Sequence, residues 1–461
     1  MDEWTLGDPA LKMLTATAAC VVSLTVSMVG QSPRRDAPAV LFDGARLITG
    51  DGSAAIERSA FIVQGDTFVR VGRQGELKTP TGFRRVDLSG KTVMPALVDI
   101  HTHLGYRRGA TFRAENFSRD TIVDELNRFA YFGVAAVGSA GTDRGDFTLR
   151  LRDDPHPGAV VRTAWRGLAP PDAGPNPPMR DAPYGVSSER EARQDVRELA
   201  AKNVDFVKIW VDDRNGTVPK LSPVLYRAII DEAHKHQLRV FAHIATLDDA
   251  KSLLRTGVDG FLHPVRDRDV DDELLGLLKE RPQVFFTLTL FAPRLNIYTA
   301  EPRWLAEPAL RDTVSAAVIE QVKETLSRRT PQSAAAARAD WERIARNVAA
   351  LNRAGVRLAL GTDVGGQSAG GLFGWTEHIE LEHMVSAGLT PAEAIVAATR
   401  TAADILRLDR LGTIAPGKSA DFIVLDANPL DDIVNTRRIA RVYIRGAEIP
   451  RATAGGGGRS R

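Results

Sequence analysis

Between residues 93 and 406 the chain alternates short runs rich in β-branched apolar residues with longer stretches of helical periodicity. This alternation constrains the fold more than any other feature, because a strand followed by a helix and a further strand is the unit of a parallel sheet. Strand-like runs occupy 93–100, 134–138, 160–164, 204–211, 239–245, 260–262, 284–290 and 356–360. Helical periodicity occupies 119–131, 188–202, 223–236, 247–256, 271–280, 341–354, 375–387 and 391–406. Ser188 and Thr390 stand where N-caps are expected, with acidic residues in the turns that follow. About eight such units point to an α/β chain folded as a (β/α)8 barrel of the TIM type. The stretch 292–338 reads as irregular to helical, an insertion near the barrel mouth and a candidate lid.

The flanks read differently. Residues 40–48, 60–71 and 85–93 are strand-like, with Gly65-Asp66 at a hairpin turn. The segments 414–425 and 441–449 are strand-like as well. Neither group is large enough to bury its own faces, so the two ends are expected to join in one small β-sandwich. The expected organisation is 37–92 plus 408–450 as a composite sandwich, 93–407 as the barrel, and 451–461 as a Gly-rich disordered tail. Ahead of these, residues 1–36 hold the apolar run 13–30 and a linker, which reads as an export signal or signal anchor. That reading places the protein in the periplasm or outside the cell, with a cytoplasmic chain carrying a disordered leader as the alternative. Membrane contact is expected only through that N-terminal anchor.

The formal net charge of +2 supplies no field to attract nucleic acid or acidic partners. A single cysteine, Cys20, excludes an internal disulfide and a multi-cysteine metal site. The partner implied is a small-molecule substrate, and the sequence leaves the oligomeric state open.

The candidate chemistry lies at strand ends. His101 and His103 close the first run, and side chains at i and i+2 of a strand leave on the same side, so two imidazoles converge as a metal ion requires. In the run 204–211, Val207, Ile209 and Val211 share one face and Phe206, Lys208 and Trp210 the other, which directs Lys208 into the barrel. A lysine there is either neutral, hence nucleophilic, or paired with Asp212 or Asp213. His243, His263 and Asp363 each close a further run. In a parallel barrel all strands open on one face, so His101, His103, Lys208, His243, His263 and Asp363 gather there as candidate metal ligands. Tyr226, Arg214 and Arg266 are candidates for binding a substrate carboxylate. His378 and His383 read as residues of a packed or solvated helix face.

These motifs, with the turn Ala415-Pro416-Gly417-Lys418-Ser419-Ala420-Asp421 before a strand, resemble the amidohydrolase superfamily in its two-metal form, over about 40–449. The resemblance implies two divalent ions, zinc first and manganese, cobalt or iron as alternatives. It also implies a Lys208 carboxylated by carbon dioxide that bridges them. His101, His103 and Asp363 would hold one ion, His243 and His263 the other. A metal-bridging hydroxide would attack the substrate, with Asp363 as general acid and base. Within the superfamily the chain is similar to the imidazolonepropionase-like and Xaa-Pro-dipeptidase-like branch, which implies an amide bond of a dipeptide or N-acyl amino acid. Many members carry a Gly-Gly-His in the loop after the third strand, and here 170–178 holds no histidine. A cyclic amidohydrolase or a deaminase on the same scaffold is the second reading, and a non-catalytic barrel the third.

Overall fold

The computed structural model describes residues 38–77, 83–366 and 372–451. The apolar run 13–30 and the Gly-rich tail lie outside the described residues. The chain is α/β. Parallel strands form two sets, one of Leu97–Thr102, Val134–Ser139 and Val160–Thr163. The other holds Val207–Val211, Val240–Ile244, Gly260–Phe261, Phe285–Thr287 and Arg357–Ala359, with the short strands Leu168–Ala169 and Tyr184–Gly185 at one edge. Backbone hydrogen bonds join the sets on both sides. Asp205 N–H donates to Thr163 O at 2.9 Å, and Ile100 N–H to Leu360 O at 3.2 Å. Asp363 N–H donates to His101 O at 2.8 Å, and Thr102 pairs with Val364 in parallel.

Side chains from these strands divide between two apolar clusters. Val98, Ile100, Ala136, Phe206, Phe241, Phe285 and Ala359 pack together, with Ala402, Ile405 and Leu406 added at one end. Val207, Ile209 and Val211 belong instead to the cluster shared with the helices. The alternation read from 204–211 is therefore the one the fold uses.

Several elements differ from their expected extent. The run 40–48 is broken by Gly44, whose φ of +91° no side-chain-bearing residue adopts easily. Ala39–Asp43 and Arg46–Leu47 fall in different sheets as a result. The run 85–93 divides in the same way, into Arg84–Asp87 and Thr92–Pro95. A four-stranded and a five-stranded sheet result, and the second draws strands from both ends of the chain, including Phe422–Leu425 and Ile439–Ile444. Phe42, Phe61, Phe68, Phe422 and Tyr443 form one aromatic core between these sheets. Ile423 and Leu425 point the other way, into the main cluster, so the five-stranded sheet is buried on both faces.

The stretch 292–338 is more helical than expected. Phe291–Leu295 and Ala316–Ser327 precede a helix, Pro331–Arg353, that starts ten residues ahead of the expected 341. Thr330 caps it through a reciprocal bond with Ser333, a signal that an Ala-rich reading passes over. The helix Trp375–Ser386 is enclosed nearly all round; His378 and His383 are packed within it, as one of the two expected readings had it. No helix among the described residues is long and apolar enough to cross a membrane.

Candidate functional site

The first strand ends differently from its sequence reading. Val137 pairs with Asp99 but Ser139 pairs with Thr102, so the first strand carries one extra residue opposite Gly138. Strict alternation fails at this bulge, and the strand closes at Thr102 with His103 just beyond it. The imidazoles of His101 and His103 converge nonetheless, with ring centroids 5.4 Å apart.

All six strand-end candidates lie in one cluster. The nearest ligand atoms of His101, His103 and Asp363 lie within 4.8 Å of one another. Asp363 Oδ1 is 3.0 Å from His103 Nε2 and 3.4 Å from His101 Nε2. The His263 ring lies 4.9 Å from that of His101 and 4.3 Å from that of His243. Lys208 is fully buried and carries its Nζ 5.0 Å from the Trp210 ring. Gly141 lets the lysine stem pass, because a Cβ there would stand 2.9 Å from Lys208 Cβ and Cγ. Asp363 itself is held at φ +59°, a left-handed conformation that costs about 1–3 kcal/mol for a non-glycine residue and recurs at functional sites.

The cluster holds buried polar atoms that the protein does not satisfy. Lys208 Nζ, both ring nitrogens of His101 and Nε2 of His263 have no hydrogen-bond partner. Buried polar groups are normally paired, and a set of converging orphaned donors fits divalent ions. Burial pushes the Lys208 amine down to about 7, although Asp363 acts the other way. Burial also brings His243 down to about 4, against the pull of Asp212. Burial works upward on the Asp363 carboxyl, but His101, His103 and Lys208 outweigh it and hold it well below the usual carboxylate range. Burial likewise lowers His101 and His263, so His101, His243 and His263 are neutral imidazoles beside an ionised carboxylate, the forms in which such groups bind metal.

Outer partners orient the rings, and the sequence reading missed most of them. Thr142 Oγ1 lies 2.8 Å from His103 Nδ1, and Thr289 Oγ1 2.7 Å from His263 Nδ1. Asp212, an expected partner of Lys208, instead engages His243 Nε2 at 2.9 Å. Asp99 accepts from His101 N–H at 2.9 Å, Thr362 N–H at 3.2 Å and Thr362 Oγ1 at 2.5 Å. It thereby ties the first strand to the segment carrying Asp363. Its carboxyl and that of Glu377 are buried side by side; burial and the mutual repulsion raise Glu377 well above its ordinary range. Asp99 could have been found from the Asp-x-His-x-His spacing, whereas the threonines carry no local signal.

The three carboxylate-binding candidates separate. Arg266 lies at the cluster, with Nη2 in contact with His263 Nδ1 and 3.4 Å from Thr289 Oγ1. Arg214 follows Asp212 at the rim, its N–H donating to Asp212 Oδ1 at 2.9 Å. Tyr226 is placed elsewhere, in the apolar helix layer with its hydroxyl 2.5 Å from Ser252 Oγ. A tyrosine on the inner face of an amphipathic helix packs against the next helix, and that removes Tyr226 from the candidate set.

Parallel strands with imidazoles, a lysine and a carboxylate at their C-terminal ends define a hydrolase class that works through bound metal. Residues 92–449 match the model of the amidohydrolase family, and the chain belongs to it. Enzymes of this family generally use a divalent metal, and the protein is a hydrolase acting on carbon–nitrogen bonds. It is 24% identical over 415 residues to a 5-methylthioadenosine/S-adenosylhomocysteine deaminase of Halalkalibacterium halodurans, across 82% of this chain and 83% of the relative. An imidazolonepropionase of Streptomyces griseus is 24% identical over 402 residues, across 83% and 91%. A solved Xaa-Pro dipeptidase with methionine bound in its active site shares the fold, with a TM-score of 0.69 at 22% identity over 89% of this chain and 99% of that one.

Proposed function

We propose that the chain is a two-metal amidohydrolase that cleaves the amide bond of a dipeptide or an N-acyl amino acid. The observation that carries this reading is the buried Lys208 Nζ, without a hydrogen-bond partner amid His101, His263, His243 and Asp363. On this reading the eight parallel strands close into a (β/α)8 barrel over 93–407, an arrangement supported by the hydrogen bonds on both sides of the first three strands. The aromatic core between the two end sheets supports a composite sandwich of 37–92 and 408–450.

His101, His103 and Asp363 would hold one ion, His243 and His263 the other, with Lys208 as a carbamate between them. Oxygen and nitrogen donors suit zinc, manganese, cobalt or iron. Bound ions of this kind polarise a carbonyl and acidify water. The residues do the rest. Lys208, with its pKa near 7, presents a neutral amine, the form that adds carbon dioxide. Asp363, which stays ionised, takes the proton of the attacking water and passes it to the leaving nitrogen.

Elemental analysis should find about two divalent ions per chain. Asp363→Asn should retain most of that metal and lose nearly all turnover on an N-acyl amino acid or dipeptide. A single ion in the fully active enzyme, or near-normal kcat in the variant, refutes the assignment. A deaminase on the same scaffold is the second reading, favoured by the likeness to the Halalkalibacterium deaminase; it would release ammonia, where the amidase releases a carboxylate and an amine. Export to the periplasm is part of the proposal and is tested by fractionating cells that make the full chain.

A further inference from the structure

The loop after the third strand lacks the Gly-Gly-His of many dipeptidase-like relatives, and the structure shows what it supplies instead. Trp210, next to Lys208 on the same strand face, packs against Ala169 and Ala173 of this loop. Ala173 O accepts from Arg214 Nη2 at 2.9 Å, and the next carbonyl, Gly174 O, accepts from Arg180 Nη1 at 2.7 Å. Two guanidinium groups thus hang on successive carbonyls, one side-chain layer from Lys208. Farther along the loop, Asn176 Nδ2 donates to Gly366 O, three residues past Asp363, so the loop spans from the Lys208 side of the cluster to the Asp363 side.

Two nearby acids have closer partners, Asp181 with Arg144 and Asp212 with His243. Among the described residues, neither Arg180 nor Arg214 has an ion-pair partner, and Arg214 Nη1 is buried with no hydrogen-bond partner at all. Arg214 is also held at φ +48°, a strained conformation fixed by its own N–H bond to Asp212. Burial and the Arg180 charge lower the Arg214 pKa, and Asp212 acts the other way.

We infer that Arg214 and Arg180 form an anion subsite at the rim, which takes a carboxylate that the substrate carries beside the scissile carbon–nitrogen bond. Planar guanidinium groups match a carboxylate by paired N–H bonds, and Arg214 Nη1 is the donor left over for it. This inference rests on the amide-hydrolase reading for the identity of the bond, not for the binding.

The test uses the metal-loaded full chain and a panel of N-acetyl amino acids, each paired with its N-acetyl amino acid amide. Calorimetry reads binding of every pair, and kcat/KM is measured for those that turn over. The carboxylates should bind at least about tenfold tighter than the matched amides, with a preference that weakens as salt rises. Arg214→Gln should bring the ratio close to one with metal content retained, and Arg180→Gln should lower it in part. Should Arg214→Gln fail to fold, Arg180→Gln carries the test alone, since its loop contact is a single bond. Equal binding of carboxylates and amides, no binding of any carboxylate, or an undiminished ratio in Arg180→Gln overturns the subsite. Absence of hydrolysis with the binding preference intact would overturn the amidase reading and leave the subsite standing.

Discussion

Replacing Asp99 by alanine tests how the site is held together. The substitution leaves two buried backbone donors, His101 N–H and Thr362 N–H, without an acceptor. Each orphaned donor costs about 1–3 kcal/mol, so the pair costs roughly 4 kcal/mol at the midpoint. Thr362 Oγ1 also loses its acceptor, but a hydroxyl can rotate, and it already accepts from Val364 N–H at 3.2 Å. Glu377 offsets none of this: its raised pKa keeps it protonated, so it carries no charge whose repulsion the loss of Asp99 would relieve. The expected loss is therefore about 4 kcal/mol, a large fraction of the 5–15 kcal/mol typical of a whole domain. Equilibrium urea unfolding of the metal-free protein measures it, with the midpoint and slope fitted together. Metal affinity should fall as well, because Asp99 fixes the His101 backbone against the segment that carries Asp363. Glu377→Gln is the control: it keeps a neutral side chain of the same shape beside Asp99 and removes none of the three bonds, so its stability should change little. A loss under about 1 kcal/mol for Asp99→Ala, or an equal loss for Glu377→Gln, would refute the reasoning.

Other expectations follow from the same contacts. Thr142→Val and Thr289→Val each remove the hydroxyl that orients one imidazole, and each should weaken metal binding about 10–100-fold by competitive chelator titration, with small changes in melting temperature. Glu125 is buried against Gly105 N–H, and burial pushes its carboxyl up to about 8. The folded chain then binds a proton there that the unfolded chain releases above pH 4.5, so this group's contribution to stability falls as pH rises from about 4.5 to 8. Glu125→Gln should flatten the stability–pH curve between about pH 4.5 and 8; an unchanged slope there would remove Glu125 as its source.

Much of this molecule was legible one segment at a time. The helices Arg119–Tyr131 and Leu247–Thr256 begin and end where their periodicity places them. The inward direction of Lys208 followed from the alternation over 206–211, and the ligand candidates were visible because His, Lys and Asp are conspicuous at the ends of apolar runs. Such features are local, and a period of 2 or 3.6 residues carries them. Three things were decided only in the tertiary structure. The division of 40–48 and 85–93 between two sheets depends on which partner strand each half finds, and pairing is a long-range choice. The bulge opposite Gly138 appears only when the first two strands are laid side by side. The acceptors and donors that orient the site, Asp99, Thr142, Asp212 and Thr289, are ordinary polar residues in sequence; what makes them matter is burial beside an imidazole or a strand end, which segments far apart in the chain bring about together.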